Sequence, residues 1–239
     1  MMRQLRADLH LHTCLSPCAE LEMVPTAIVK QAKCIGLDAI AICDHNSAEN
    51  VGAVLRAGQR ESLTIIPGME VTTREEVHIL GLFADEGQVM RLQERVYENL
   101  AGENDPDVFG FQVVVDECDN VVDCTTKLLI GATSFSLEET VRVIHDCGGL
   151  AIAAHIDRER FGLVGQLGFI PEGLPLDGVE LSPYASFDSW GDLPVVRSSD
   201  AHSLNDIGKT STCFRVAEVT LSEIAMALRG EHGRLVVRG

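Results

Sequence analysis

Short apolar runs of strand length recur along the chain, separated by longer stretches whose apolar residues fall three and four apart. The first kind predicts strands over residues 5–10, 39–44, 64–70, 77–83, 150–155, 178–181, 195–198 and 234–237. The second predicts helices over residues 24–35, 48–60, 87–100, 137–146 and 221–229. Several boundaries carry their own chemistry. Pro25 suits a first helical turn, Ser136 with Glu139 reads as a capping box, and Gly148 with Gly149 supplies a stop. Strand and helix alternate, which predicts a mainly parallel α/β sheet closed into a barrel.

Residues 104–127 break the alternation. The run GFQVVVDECDNVVDCTTKL reads as two strands about a turn near Asp119 and Asn120, a small β-hairpin inserted on the barrel. It would serve as a substrate lid or an oligomer contact. Phe109 and Phe111 belong either to the core of that hairpin or to the lining of a lid. No repeat and no Pro/Ser-rich linker divides the chain, so residues 1–239 are expected to form one domain.

Composition narrows the class. Hydrophobic residues make up 46% of the chain, which excludes disorder. No run approaches the roughly 20 apolar residues of a membrane span. MMRQLRADLHLHT has charge where a secretion signal needs an apolar stretch, so a cytoplasmic, membrane-free protein is expected. The eight cysteines are then read as reduced thiols, with Cys34, Cys43 and Cys147 in apolar patterns that suit burial. A formal charge of −17 argues against a long nucleic-acid track, yet permits a small anionic substrate.

Candidate chemistry begins at Asp8-Leu9-His10-Leu11-His12. On an extended strand Asp8, His10 and His12 share a face, and two imidazoles on one face form a ready chelate. Taken alone the pair equally suits two half-buried strand-end histidines. The pattern recurs, however. Asp44-His45-Asn46 follows the second predicted strand, Glu70 the third, and His78 opens the fourth; His155 ends the fifth, and Asp200-Ala201-His202 follows the seventh. Six of the eight histidines therefore lie at strand ends, and the carboxyl ends of a parallel barrel converge on one rim.

The segments DLHLHT, CDHN, PGMEVT, VHILGLF, AAHIDR and SSDAH, spanning Asp8 to His202 in this order, resemble the PHP family, named for its polymerase and histidinol phosphatase members. The resemblance implies a distorted (β/α)₇ barrel holding two or three divalent ions, typically Zn, Mn or Fe. By position, His10, His12, Glu70 and Asp200 would hold one ion. Glu70, His78 and His155 would hold a second, and His45 and His202 a third. Many family members place a further histidine shortly after the first two. Cys18 falls at that spacing, where a thiolate ligand would favour zinc or iron. A buried free thiol and a Cys14–Cys18 redox pair are the alternatives.

The implied function is hydrolysis of a small or terminal phosphate ester through a metal-activated water, with a small phosphorylated substrate or short nucleotide as partner. Bound cations would reverse the local field despite the acidic whole. Arg158, three residues after His155, is the candidate phosphate clamp, unless it pairs with Glu159 or Asp157. Arg160 and Arg197 are further cationic candidates. Asp44 would orient a ligand, handle a proton, or cap the following helix. Asp8 is expected to support the cluster without donating to an ion. His145 is assigned to a structural role and His232 to solvent. An exonuclease trimming short oligonucleotides, and a noncatalytic metal-binding regulatory protein, are the competing readings.

Overall fold

The structure, a computed structural model, describes residues 1–183, 185 and 190–237. In chain order its elements are β1 (Arg3–Leu11), α1 (Pro25–Cys34), β2 (Ala39–Ile42), α2 (Val51–Glu61), β3 (Thr64–Thr72) and β4 (His78–Leu82). Then come α3 (Glu86–Asn99), α4 (Pro106–Phe109), β5 (Val113–Val115), β6 (Val121–Cys124), α5 (Leu137–Asp146) and β7 (Leu150–Ala153). The chain continues with α6 (Leu163–Leu167), β8 (Gly178–Leu181), β9 (Val195–Arg197), β10 (Thr212–Val216), α7 (Leu221–Leu228) and β11 (Leu235–Val237).

The main sheet runs β11-β10-β1-β2-β3-β4-β7-β8-β9. Its ring closes where the segment after β9 returns to β1: His12 N–H donates to the Ala201 carbonyl at 3.0 Å, and Ala201 N–H to His10 at 3.3 Å. Seven strands, β1, β2, β3, β4, β7, β8 and β9, therefore make the expected distorted barrel, with β10 and β11 flanking it.

The barrel pairs mainly in parallel, as expected, but one strand, β4, runs against both of its neighbours. β1–β2, β2–β3, β7–β8 and β8–β9 pair in parallel, whereas β3–β4, β4–β7, β1–β10 and β10–β11 are antiparallel. The reversal starts at the connection between Thr72 and His78, which is too short to carry a crossover helix and so must return as a hairpin.

Side-chain alternation divides the apolar residues into two layers. Leu5, Ala7, Leu9, Ala39, Ala41, Cys43, Ile66, Leu80, Leu82, Ile152 and Ala154 pack inside the barrel, with Phe214 and α7 against them. Ile40, Ile42, Met69, Val71, Ile79, Ala153, Val179 and Leu181 pack outward against the helices. The interdigitation is tight at Gly68. A Cβ there would lie 2.7 Å from the Cys43 sulfur and 2.9 Å from the Ile42 carbonyl. We expect Gly68→Ala to cost about 1–3 kcal/mol by overpacking, read as a lowered thermal midpoint.

The local signals behave as their chemistry requires. Ser136 and Glu139 form a reciprocal capping box on α5, Pro25 opens α1, and Gly148 takes φ +86° after α5. The inserted hairpin forms as β5 and β6 about a turn containing Asp119. It is docked, not free-standing. Asp119 accepts from the Thr26 N–H at 2.9 Å at the start of α1, and Glu117 pairs with Arg56 and Arg60 of α2 at 2.9 and 3.1 Å. Asn50 donates to the Val113 carbonyl and accepts from Val115 N–H. Phe109 and Phe111 are exposed, at 40% and 57%, so they form no hairpin core; three- and four-residue strands offer too little surface to cover them. All eight cysteines are free thiols, and Cys34 is exposed at the solvent end of α1, where burial was expected. Among the described residues no helix is long and apolar enough to cross a membrane.

Candidate metal centre

A β-bulge aims the first two imidazoles. Between Asp8 and Leu11, β1 advances by one residue more than its partner β2. Side-chain parity reverses at such a bulge. Leu9 consequently packs inside the barrel, whereas Leu11 packs outward, and His10 and His12 turn together into the upper lumen. Asp8 does not join them. Its carboxylate accepts the Ser199 and Gly208 N–H groups, both at 2.9 Å, and so braces the segment carrying Asp200. Burial outweighs those two bonds and pushes the Asp8 carboxyl up to about 6.

Six imidazoles and two carboxylates converge at this end of the barrel. Glu70, near the end of β3 and 1% exposed, is the hub. Its Oε1 lies 2.9 Å from His78 Nδ1, 3.2 Å from His155 Nε2 and 3.4 Å from His10 Nε2. Its Oε2 lies 3.0 Å from His45 Nδ1 and 3.5 Å from His12 Nε2. Asp200 Oδ1 stands 3.1 Å from His12 Nε2 and 3.4 Å from His10 Nε2. His202 completes the cluster, stacked on His12 at 4.2 Å between centroids, with its Nδ1 on the Asp200 carbonyl at 2.8 Å. Backbone strain accompanies the convergence. Asn46, His155 and Asp200 all hold positive φ, at 49°, 26° and 51°.

The donor set fits divalent cations on the evidence of its own unsatisfied atoms. His45 Nδ1 and His78 Nδ1 face Glu70 at close range, yet neither makes a hydrogen bond, and Glu70 Oε2 is likewise buried without one. His10 Nε2 and His12 Nε2 point at each other across 3.2 Å. Buried polar atoms are rarely left so. Cations at their focus would satisfy them. Three triads have ligand atoms mutually within 4.8 Å: His10/His12/Glu70, His45/Glu70/His78 and His12/His45/His202. His45 thus stands with Glu70 and His78 as well as with His202, while His155 and Asp200 adjoin the triads through the contacts above.

The electrostatics follow from two carboxylates shared among many rings. Burial opposes a charge on His10, but Glu180, Glu70 and Asp200 hold it well above the usual imidazole range; His45 is raised against burial by Glu70 and Cys18. Burial and the neighbouring rings drive His12 well below that range, and burial carries His78 down to about 4. Burial would raise Glu70 and Asp200, but the surrounding imidazoles keep both carboxylates well below their ordinary values. A neutral ring with a bare nitrogen is the ligating form of histidine.

The supporting residues sort differently from expectation. Asp44 caps no helix, since α2 begins after Asn50. It accepts from Thr13 N–H and Thr13 Oγ1, both at 2.7 Å, and from Ser16 Oγ at 2.6 Å. With its O–H donated in a hydrogen bond to Asp44, Ser16 Oγ accepts from His12 Nδ1 at 3.0 Å, which leaves His12 Nε2 to face the cluster. Asp44 therefore orients His12 through Ser16. Arg158 pairs with neither Glu159 nor Asp157; its Nη1 donates to Asp200 Oδ2 at 2.6 Å. Asp157 instead binds Ser182 N–H and Oγ. Cys18 lies at the mouth, outside the three triads. Burial would raise its thiol, but hydrogen bonds and charge from His202 and His45 bring it down to about 6. Arg197 turns its Nη1 to the Ser182 carbonyl at 3.1 Å. His145 binds Asp177 at 2.8 Å, away from the cluster, and His232 lies in an exposed turn.

Two contributors went unforeseen. Phe161 stacks on His78 with centroids 4.5 Å apart and planes 13° apart, and its carbonyl accepts the His78 N–H at 2.9 Å. Nothing in RERFGL marks it. Glu180 sits 3.1 Å from His10 Nδ1. A lone charge in the otherwise apolar Gly178–Leu181 strand was its signal.

A seven-stranded barrel gathering six histidines at one rim defines a class of metal-dependent hydrolases. The PHP domain profile matches residues 8–146, more than half of the chain, and the protein belongs to the PHP domain family, whose members hydrolyse phosphoester bonds. A 5'-3' exoribonuclease of Haemophilus influenzae is 31% identical over 81 residues, 33% of this chain and 28% of that protein. Among solved structures, a lesion-specific endonuclease of Pyrococcus furiosus superimposes with a TM-score of 0.76 at 20% identity, over 98% of this chain and 58% of its own. This chain thus spans less than two thirds of either protein. A Bifidobacterium adolescentis structure assigned to the metal-dependent phosphoesterases matches with a TM-score of 0.56 at 19% identity, over 93% and 94% of the two chains.

Proposed function

We propose that residues 1–239 form one hydrolase domain that cleaves a small or terminal phosphate ester, with two or three Zn, Mn or Fe ions as cofactors. The observation that carries this reading is the set of buried, unpartnered ring nitrogens and carboxylate oxygens facing one another around Glu70. His10, His12, Glu70 and Asp200 would hold one ion, Glu70, His78 and His155 a second, and His45 and His202 a third with Cys18 at its edge. Divalent ions bound there would acidify water and neutralise charge on the phosphate. Nitrogen-rich ligation favours Zn, Mn or Fe over magnesium, which prefers oxygen.

The protein's own side chains then have distinct tasks. Ser16, backed by Asp44, keeps His12 in the tautomer that turns Nε2 inward. Arg158 keeps one N–H on Asp200 while its side chain stays 36% exposed, so the remaining guanidinium edge is available to phosphate oxygens. Arg158→Ala is expected to lower kcat/KM by about 10- to 100-fold, the worth of a charge-assisted contact, with metal content unchanged.

The test is elemental analysis of protein purified without chelator, followed by a phosphoester panel with the metal found. Phosphate release from monoesters or short nucleotides supports the reading. A metal-loaded protein inert across metals and substrates would leave a noncatalytic binder. The local likeness to an exoribonuclease favours a second enzymatic reading, trimming of short oligonucleotides. A labelled oligonucleotide separates the two, since trimming yields mononucleotides where a phosphatase yields phosphate and an oligonucleotide of unchanged length. The charge of −17 suits a strand end better than an extended duplex.

A further inference from the structure

We propose that Glu180 is a positioning residue for the metal centre, one carboxylate that sets the presented nitrogen of His10 and the backbone of His155 together. Its neighbours Val179 and Leu181 pack outward against the helices, so alternation along β8 turns Glu180 into the lumen, where it is 1% exposed. A buried carboxylate is costly unless it is paired. Among the described residues its one ion pair is with His10, Oε1 to Nδ1 at 3.1 Å. The same oxygen accepts the His155 N–H at 3.2 Å, and Oε2 makes no hydrogen bond.

Glu180 Oε1 already accepts the His155 N–H, so it meets His10 Nδ1 as an acceptor and that nitrogen carries a hydrogen. Nε2 is then the nitrogen left to meet a cation, and it is the atom aimed at Glu70 and Asp200. A carboxylate behind an imidazole fixes its orientation and strengthens it as a donor to a cation. His12 has a neutral hydroxyl in the corresponding place, the Ser16 Oγ. His10 is therefore the more strongly backed of the two. The second bond acts on His155, whose φ of 26° is unfavourable for a residue with a side chain; tying its N–H to Glu180 helps to hold that turn. One group on β8 thus couples ligands carried by β1 and β7.

The proposal concerns the ions and not the ester, and its test reads metal affinity. Chelator-stripped full-length protein is titrated with Co(II), followed by the visible d–d bands and by calorimetry. Glu180→Gln keeps the volume and removes the charge; it is expected to weaken Co(II) binding by about 10- to 100-fold, and Glu180→Leu by more. Imidazole ¹⁵N–¹H spectra of the Zn(II)-loaded protein, where Nε2 faces the cation, should show a proton on His10 Nδ1 that is protected from exchange in the wild type and exchanges faster in Glu180→Gln. Should Glu180→Leu fail to fold, Glu180→Gln decides. Co(II) affinity within about threefold of wild type, even with a lowered thermal midpoint, would reduce Glu180 to a packing role and overturn the proposal. A wild-type chain that takes up no Co(II) would overturn the metal centre with it, a separate and recognisable result.

Discussion

Replacing Glu70 by Gln is expected to lower turnover by about 10³-fold, a barrier increase of about 4 kcal/mol, and to leave the purified protein with fewer bound ions. Four of the surrounding rings, His10, His45, His78 and His155, reach a Glu70 oxygen within 3.4 Å, and a fifth, His12, at 3.5 Å. Among the described residues no other carboxylate reaches as many rings of the cluster; Asp200 meets three, His10, His12 and His202. Gln preserves the volume but carries no charge, and its amide would aim hydrogens at rings that need an acceptor. The barrel itself should persist, because Met69 and Val71 keep their places against the helices. Circular dichroism and a thermal melt would confirm that, while elemental analysis and kinetics report the loss. A variant with full metal occupancy and unchanged turnover would remove Glu70 from the centre of the mechanism.

How much of this was legible in the sequence depended on whether the signal was local. Strand ends bearing His10, His12, His45, Glu70, His78, His155, Asp200 and His202 could be read one by one, because a histidine or acid at the end of an apolar run is a local pattern. Their meeting follows from barrel topology, which turns sequential strand ends into spatial neighbours. The face of Asp8 was not legible for the opposite reason. A bulge exists only in relation to the partner strand, so simple alternation puts Asp8 beside His10, whereas it supports the cluster from the Ser199 and Gly208 N–H groups. β10 escaped notice because Thr212, Phe214 and Val216 alternate inward across only five residues, with Arg215 between them. Glu180 was visible in principle: a charge flanked by Val179 and Leu181 must either face solvent or have a partner inside. The partner, His10, lies 170 residues away, beyond any window of sequence.

The second large effect is expected from metal removal. Ions that bind only the folded chain stabilise it by about 4 kcal/mol when present at a thousand times their dissociation constant. For a chain of this size each kcal/mol moves the thermal midpoint by roughly 2–4 °C, so complete stripping should lower it by roughly 8–16 °C and abolish turnover. The structural reason is the crowding of like groups. His10 Nε2 and His12 Nε2 stand 3.2 Å apart, His12 and His202 stack at 4.2 Å, and His45 and His78 reach the same carboxylate. Without cations, protons must take over the bridging, and six imidazoles share the acceptors of Glu70, Asp200 and Glu180. Because ligation requires deprotonated rings, metal uptake should release protons and weaken as the pH falls. Scanning calorimetry with and without chelator checks the shift, and readdition of Zn, Mn or Fe should restore both midpoint and activity. Glu70→Gln supplies the internal comparison. With its hub neutralised, the variant should show a much smaller chelator-induced shift than the wild type. Equal shifts in the two proteins would mean that the stabilising ions sit somewhere other than this cluster.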